Sequence, residues 1–501
     1  MPSGSGRGGG RRLPAGLHRT RSPGQLRAGD EAAQRLEGVA GAGTAVLGGM
    51  QQAIQSHNGM GARFTARSCR RQTLVRLKLT ENFSMRIHPF ASACAAAILA
   101  LASTVASSAS LSYLGQQVVA NNAVYGGTTI GGLSGIDFDA ASVRYVAISD
   151  DRSQINPARF YSLQLDLSQF ARSNTPGSAG VQFTGVTTLL TRDGSPFAAN
   201  GVDPESIRLR QTASGTTVLW TNEGLRSGSA ASYQTPTLRE ATLSGAYVRD
   251  FAVPSYYFPV GSAAGTTSGD SGIRNNLAFE SLTLSPDGST TYIATENALV
   301  QDGSRTTLTA PSPSRVAAFD TATGALSAEY IYNVDPIAQT PVPATASADR
   351  GLVEMLSLGQ GRFIAVERSF ATGVGFDIRV YLTEIGGATN VAGLSSVAGT
   401  EITAMAKTLL LDMNSVRNAD GSALLLDNIE GVTLGPVVNG KQTLIFVSDN
   451  NFNNTELTQF VAFTVDGNLL TAAVPEPQSG ALLAAGLGLV VLRLARRNGQ
   501  R

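Results

Sequence analysis

Between Ser110 and Ala473 the sequence contains no histidine and no cysteine; His18, His57, His88, Cys69 and Cys94 all precede residue 100. A domain built from this region has no imidazole base, no thiolate nucleophile and no disulfide. A Ser-His-Asp hydrolase is excluded there, because nothing can activate the serine. Zinc and copper are poorly served without nitrogen or sulfur ligands. Amphipathic helical periodicity is missing, and so is a glycine loop opening a helix to cradle phosphate. Asp287-Gly288 and Asp302-Gly303 are turns, since the alternating acids of a calcium-binding loop are lacking. Charge is sparse, at 15% of residues. It is also unevenly split. Residues 1–84 carry 13 Lys and Arg against 4 Asp and Glu, a balance of +9, whereas residues 110–473 carry 20 against 32, a balance of −12. An acidic domain is a poor nucleic-acid partner, because affinity for phosphate backbones rests on cations.

The two ends are expected to be addresses rather than fold. Met85 opens a secretory signal over 85–109, with Arg86 and His88 as its basic start and Ala91–Leu101 as its apolar stretch. Small residues follow, and cleavage is expected just before Ser110. The Arg- and Gly-rich residues 1–84 have too little apolar periodicity to bury a core and are expected to be disordered. Either translation starts at Met85 or they form a basic arm. At the far end, Val474-Pro475-Glu476-Pro477 precedes an apolar run from Gly480 to Leu492, followed by Arg493, Arg496 and Arg497. This order, spanning 474–501, resembles the PEP-CTERM sorting signal. The resemblance implies an exosortase that cleaves near the motif, a transient inner-membrane anchor at 480–492, and display on the cell surface or outside the cell. A run of 13 residues is short for a bilayer-spanning helix of ~20, and arginines behind it would stop transfer.

Between these ends a pattern repeats five times. An apolar run ends in an acid at Asp150, Glu223, Glu296, Glu367 and Asp449, at spacings of 73, 73, 71 and 82 residues. Ahead of each run stands a second element: Ser134-Gly135, Glu205-Ser206, Glu280-Ser281, Glu354-Met355 and Glu430-Gly431. Turns such as Ser285-Pro286-Asp287-Gly288 and Val438-Asn439-Gly440 join the two as hairpins. Further alternating stretches follow, as in Arg159–Leu165, Arg315–Asp320 and Ile378–Leu382. Each repeat thus supplies three or four antiparallel strands. An all-β propeller of five to six blades over 110–473 is expected, because radial closure protects sheet edges. A sixth blade would occupy the long stretch 371–423 or be completed by both termini.

In a propeller, equivalent positions of successive blades form rings about the axis. The acids Asp150, Glu205, Glu223, Glu296, Glu367 and Asp449 are therefore candidate metal ligands. Carboxylates brought that close repel one another unless a cation intervenes. Calcium, with six to eight oxygen ligands, suits them best. Glu280 and Glu430 are candidate catalytic acids or bases, together with Arg274 and Arg368. Arg152, Arg274 and Arg368 stand beside these acids and could grip a substrate anion. Two plainer explanations compete: acids at strand ends that only bond neighbouring blades, and ordinary salt bridges. Tyr256-Tyr257-Phe258 is either a sugar- or lipid-facing patch or loop packing.

Several segments are similar to the "esterase-like activity of phytase" family: Gly132-Leu133-Ser134-Gly135, Ser149-Asp150-Asp151-Arg152-Ser153, Asp203-Pro204-Glu205, Phe279-Glu280-Ser281-Leu282, Val366-Glu367-Arg368-Ser369-Phe370 and Asp427-Asn428-Ile429-Glu430-Gly431. They fall in the family's order over Gly132 to Val465. Ser206 and Ser281 stand where the family usually has Gly, and Glu354 where Asp is commoner. The resemblance implies a phytase-like propeller acting on phosphoric or other esters. The expected function is an exported, monomeric, calcium-dependent phosphoric ester hydrolase that meets signal peptidase and exosortase on its way out. The alternative is a non-catalytic propeller that binds surface or matrix components.

Overall fold

The apolar runs that end each repeat are unbroken rather than alternating, and their surroundings explain why. In Arg144–Ser149, Val146 and Ile148 face one neighbouring sheet while Tyr145 and Ala147 face another. Successive side chains of a strand point to opposite faces, so a strand packed on both sides needs apolar residues at every position.

The computed structural model of the protein describes residues 110–467 and Leu469; the expected N-terminal extension, signal peptide and sorting segment lie outside the described residues. Five four-stranded antiparallel sheets form five blades. Blade 1 holds Leu133–Asp139, Arg144–Ser149, Arg159–Leu165 and Val181–Thr188. Blade 2 holds Pro204–Thr212, Gly215–Asn222, Thr237–Thr242 and Tyr247–Asp250. Blade 3 holds Phe279–Leu284, Thr290–Thr295, Ser312–Asp320 and Leu326–Val334. Blade 4 holds Ala348–Gly359, Arg362–Ala371, Gly375–Glu384 and Ala406–Asp412. Blade 5 holds Asn428–Leu434, Thr443–Asp449, Thr458–Asp466 and, as its outermost strand, the N-terminal Ser110–Val119. That strand pairs antiparallel with Thr458–Asp466, from Ser110 opposite Asp466 to Val119 opposite Thr458. Among the described residues helices are limited to short 3-10 turns, and none is long and apolar enough to cross a membrane.

Five apolar clusters lie between consecutive blades and close the ring. One joins Ile364, Val366 and Val380 of blade 4 to Leu444, Phe446 and Phe463 of blade 5. The next joins Ile445 and Val447 of blade 5 to Ile136, Tyr145 and Tyr161 of blade 1. Blades 1 and 2 meet through Ile148, Phe160 and Trp220, and blades 2 and 3 through Leu219, Phe279 and Ile293. Val316, Tyr332, Met355 and Phe363 fill the last gap, between blades 3 and 4.

No sixth blade is present among the described residues. The stretch 371–423 is accounted for by the outer half of blade 4, where residues 385–405 make an excursion that packs Val391 and Val397 on Ile331. The N-terminal strand completes the fifth blade rather than a sixth. Asn439 and Gly440 both take positive φ, 50° and 78°, which suits the right-handed twist of a tight hairpin.

Candidate active site

Antiparallel pairing sets the start of each blade's first strand beside the end of its second. Both acidic columns therefore meet at one end of the channel. Asp150 N–H donates to Gly132 O at 2.8 Å, Glu223 N–H to Asp203 O at 2.9 Å and Glu296 N–H to Ala278 O at 2.6 Å. A register shift beside the first column recurs, between Leu133 and Gly135, Pro204 and Ile207, Phe279 and Ser281, and Ile429 and Gly431. A bulge re-aims the side chain it carries. Here it turns Ser134, Glu205, Glu280 and Glu430 toward the axis.

These residues surround a cavity of 230 Å³, lined by Asp150, Glu205, Glu280, Glu430 and Asp449 together with Arg152 and Arg368. Asn276, Asn451 and Phe452 complete much of its wall. Phe452 has φ of 50°, a left-handed conformation that is costly for an aromatic residue. Ser134 Oγ is shared between Glu205 Oε2 at 2.8 Å and Glu430 Oε2 at 3.1 Å. Asn428 Nδ2 donates to Glu430 Oε1 at 3.0 Å. Arg368 reaches Asp349 at 3.1 Å, Glu296 at 3.3 Å and Glu430 at 3.7 Å. Arg152 is tied to Asp203 through Nε at 2.7 Å and Nη2 at 2.6 Å, and it also donates to Asn276 Oδ1 at 2.6 Å. Asp203, which the sequence shows only as part of a family segment, is thus the anchor of Arg152.

Burial, followed by mutual repulsion, raises the carboxyls well above their ordinary range at Asp150, Glu205, Glu223, Glu280 and Asp449. Burial also pushes Glu296 up to about 8, although Arg368 pulls the other way. No side-chain hydrogen bond to protein is seen for Asp150 or Glu280 among the described residues, and Asp150 Oδ1 is buried without a partner. Asn428 Oδ1 is a second unpartnered buried oxygen. Gly132 makes room for this arrangement, since a Cβ there would lie 2.0 Å from Asp150 Oδ1. Oxygen-only donors, unpartnered oxygens and repelling acids are what a hard cation such as calcium fits. Asp203, Glu205 and Glu223 also offer ligand atoms within 4.8 Å of one another.

The remaining candidates are placed elsewhere. Glu367 matches the acidic column in register but not in direction. In blade 4 both inner strands run on past this point, so Glu367 and Arg368 point to opposite faces. Glu367 turns outward to Arg350 at 2.6 Å, Lys407 at 2.5 Å and Tyr332 at 2.7 Å. Arg274 does not line the axial cavity; it donates to Ala298 O and Gly303 O and faces a different pocket. Glu223 accepts from Ala278 N–H at 2.7 Å and so also ties blade 2 to blade 3. Tyr257 is fully buried with its hydroxyl on Glu329, which makes the aromatic trio loop packing.

One layer deeper the channel is plugged. Arg208 of blade 2 donates to Ile136 O at 2.6 Å, Ile207 O at 2.8 Å, and Met355 O and Val432 O at 3.2 Å each, thereby touching blades 1, 2, 4 and 5. Its charge is met by Glu354 at 2.8 Å, with 3% and 0% of the two side chains exposed. Glu354 also accepts from Ser206 Oγ at 2.7 Å and Leu282 N–H at 3.0 Å. Ser206 and Glu354, two departures from the family pattern, are therefore hydrogen-bonded partners. Glu354 belongs to the plug, not to the cavity.

No curated protein matches the chain. Several solved structures resemble it at low identity. An α-L-arabinofuranosidase from Lactobacillus brevis has 9% identity and a TM-score of 0.37, over 67% of this chain and 91% of that one. The Dos1 propeller has 9% identity and a TM-score of 0.29, over 66% and 68%. A putative 6-phosphogluconolactonase from Bacteroides uniformis has 15% identity and a TM-score of 0.26, over 65% and 80%. Residues 128–452, more than half of the chain, match the phytase-like family model, "Esterase-like activity of phytase", and the chain belongs to that family.

Proposed function

We propose that the protein is an exported phosphoric ester hydrolase whose axial cavity works with a bound calcium ion. The observation that carries this reading is the cavity itself: the carboxyls of Asp150, Glu205, Glu280, Glu430 and Asp449, raised chiefly by burial, with Arg152 and Arg368 among them. Asp150, Glu205 and Asp449 are the residues to hold the cation, with Glu223 and Glu296 behind them. Bound there, calcium would offset the repulsion and polarise a phosphoryl oxygen.

The chain's own groups supply the rest. Arg368 and Arg152 orient the anionic ester, and Arg368 Nε is buried without a partner, leaving it free to donate. Glu280, unbonded and facing the cavity, takes the proton of an attacking water as the bond to phosphorus forms. Glu430, protonated, returns one to the leaving alkoxide as the ester bond breaks. Carboxyls raised above their ordinary range by burial suit such exchanges. Export is proposed to use the segment 85–109 and surface sorting the segment 474–501, with signal peptidase and exosortase as processing partners.

The test is turnover of p-nitrophenyl phosphate and phytate by the purified protein with calcium. Activity abolished by a chelator and cut at least ~100-fold by Glu280→Gln is expected. Folded protein without turnover on any phosphoester would leave the binding propeller as the better reading.

A further inference from the structure

Away from the axis, Arg226, Arg274 and Arg305 line a second cavity, of 610 Å³, with no Asp or Glu in its wall. This contrasts with the acidic balance of the domain as a whole. The three arginines are prepared differently. Arg226 is buried and donates to the carbonyls of Val260, Ser262, Ser271 and Ile273, so it pins the loop that forms one wall. Asp270, whose carboxylate accepts from Ser262 and Thr267 N–H, shapes the same loop from within. Arg274 uses Nε and Nη2 on Ala298 O and Gly303 O; no protein partner of its Nη1 is seen among the described residues. Arg305 is exposed, and no ion pair of it is seen among the described residues. Burial, then the neighbouring Arg226 and Arg305, hold Arg274 below its ordinary value, a strain that an anion would relieve.

We propose that this pocket is an anion-binding site for a sugar-sized molecule carrying a phosphate or carboxylate group, gripped by Arg274 and Arg305 and independent of any cation at the axis. The size decides against a bare ion, because cavities of ~300–1,000 Å³ house small organic molecules. Leu277, Val300 and the small residues at 263–266 give the carbon skeleton an apolar wall. Arg305 offers its guanidinium fork, and Arg274 its Nη1, to an oxyanion. The pocket is also separate from the axial one. Arg274 and Asn275 face it, whereas the next residue, Asn276, has φ of 55° and faces the axial cavity on Arg152.

The experiment is a calorimetric titration of the full chain, in chelator, with glucose phosphate, glucuronate and uncharged glucose. At least one of the two anions should bind about tenfold or more tightly than glucose, and Arg305→Glu should weaken it by about tenfold or more. Arg305→Glu alters an exposed side chain with no ion pair among the described residues, so the variant should fold; Arg274→Ala gives the second loss. Glu280→Gln should leave this binding unchanged. The preferred anion identifies the ligand as a phosphate or a carboxylate. Neither anion binding more tightly than glucose, or binding that ignores Arg305→Glu, overturns the proposal. So does binding lost with Glu280→Gln.

Discussion

Glu296 and Glu354 show how a single buried carboxyl couples folding to pH. Their ordinary value of 4.5 rises to about 8 and about 7 respectively, in both cases chiefly through burial. Between those limits the folded chain holds protons that the unfolded chain has released. Stability is therefore full below about 4.5 and falls as pH rises toward about 8. The cation-free protein should show a Tm that declines across this window, and added calcium should flatten the decline by replacing protons at the axis; a Tm that rises with pH in chelator would contradict this. The acids behind this behaviour were legible in the sequence because they recur at blade spacing. Their partners were not. Asp203 sits two residues before a column member, and only the fold shows it clamping Arg152. The choice between Glu367 and Arg368 was equally hidden. Adjacent residues on a strand face opposite ways, and which one meets the axis depends on where the strand ends.

At the scale of elements, the first strand of blades 2, 3 and 5 does two jobs: its bulge aims Glu205, Glu280 or Glu430 into the cavity, and its continuation builds the channel wall. Arg208 and Glu354 join the walls of blades 2 and 4 across the axis. Removing one partner of a buried, hydrogen-bonded pair strands the other. Arg208→Leu or Glu354→Leu alone should thus cost about 3–5 kcal/mol, while the double replacement should recover most of it. Denaturant titration of the three variants checks this; equal losses in single and double variants would show that the pair is not coupled. Nothing in the spacing marked Arg208, since a lone arginine in a strand looks like any solvated residue. Ser206 and Glu354 stand out in the sequence as departures from the family pattern, but their hydrogen bond joins positions 148 residues apart.

The five blades of the described residues form a closed ring, and its closure depends on a strand far from its partner in sequence. Ser110–Val119 seals blade 5 against Thr458–Asp466. A chain lacking residues 110–119 would expose that edge and part of the cluster packed by Tyr113. It should aggregate or lose cooperative unfolding, and an unchanged melting curve would refute the role of the strand. Five repeats were legible because blades of one architecture have nearly one length. The wider final spacing of 82 residues reflects the excursion at 385–405, not another blade. The ring brings the acids together, and their charge state is the core of the functional reading. It is tested most directly by calorimetric titration of calcium into chelated protein near neutral pH, repeated in two buffers of different ionisation enthalpy. Saturable binding that releases protons, and that Asp150→Asn weakens, is the predicted result; no binding heat, or binding without proton release, would contradict it.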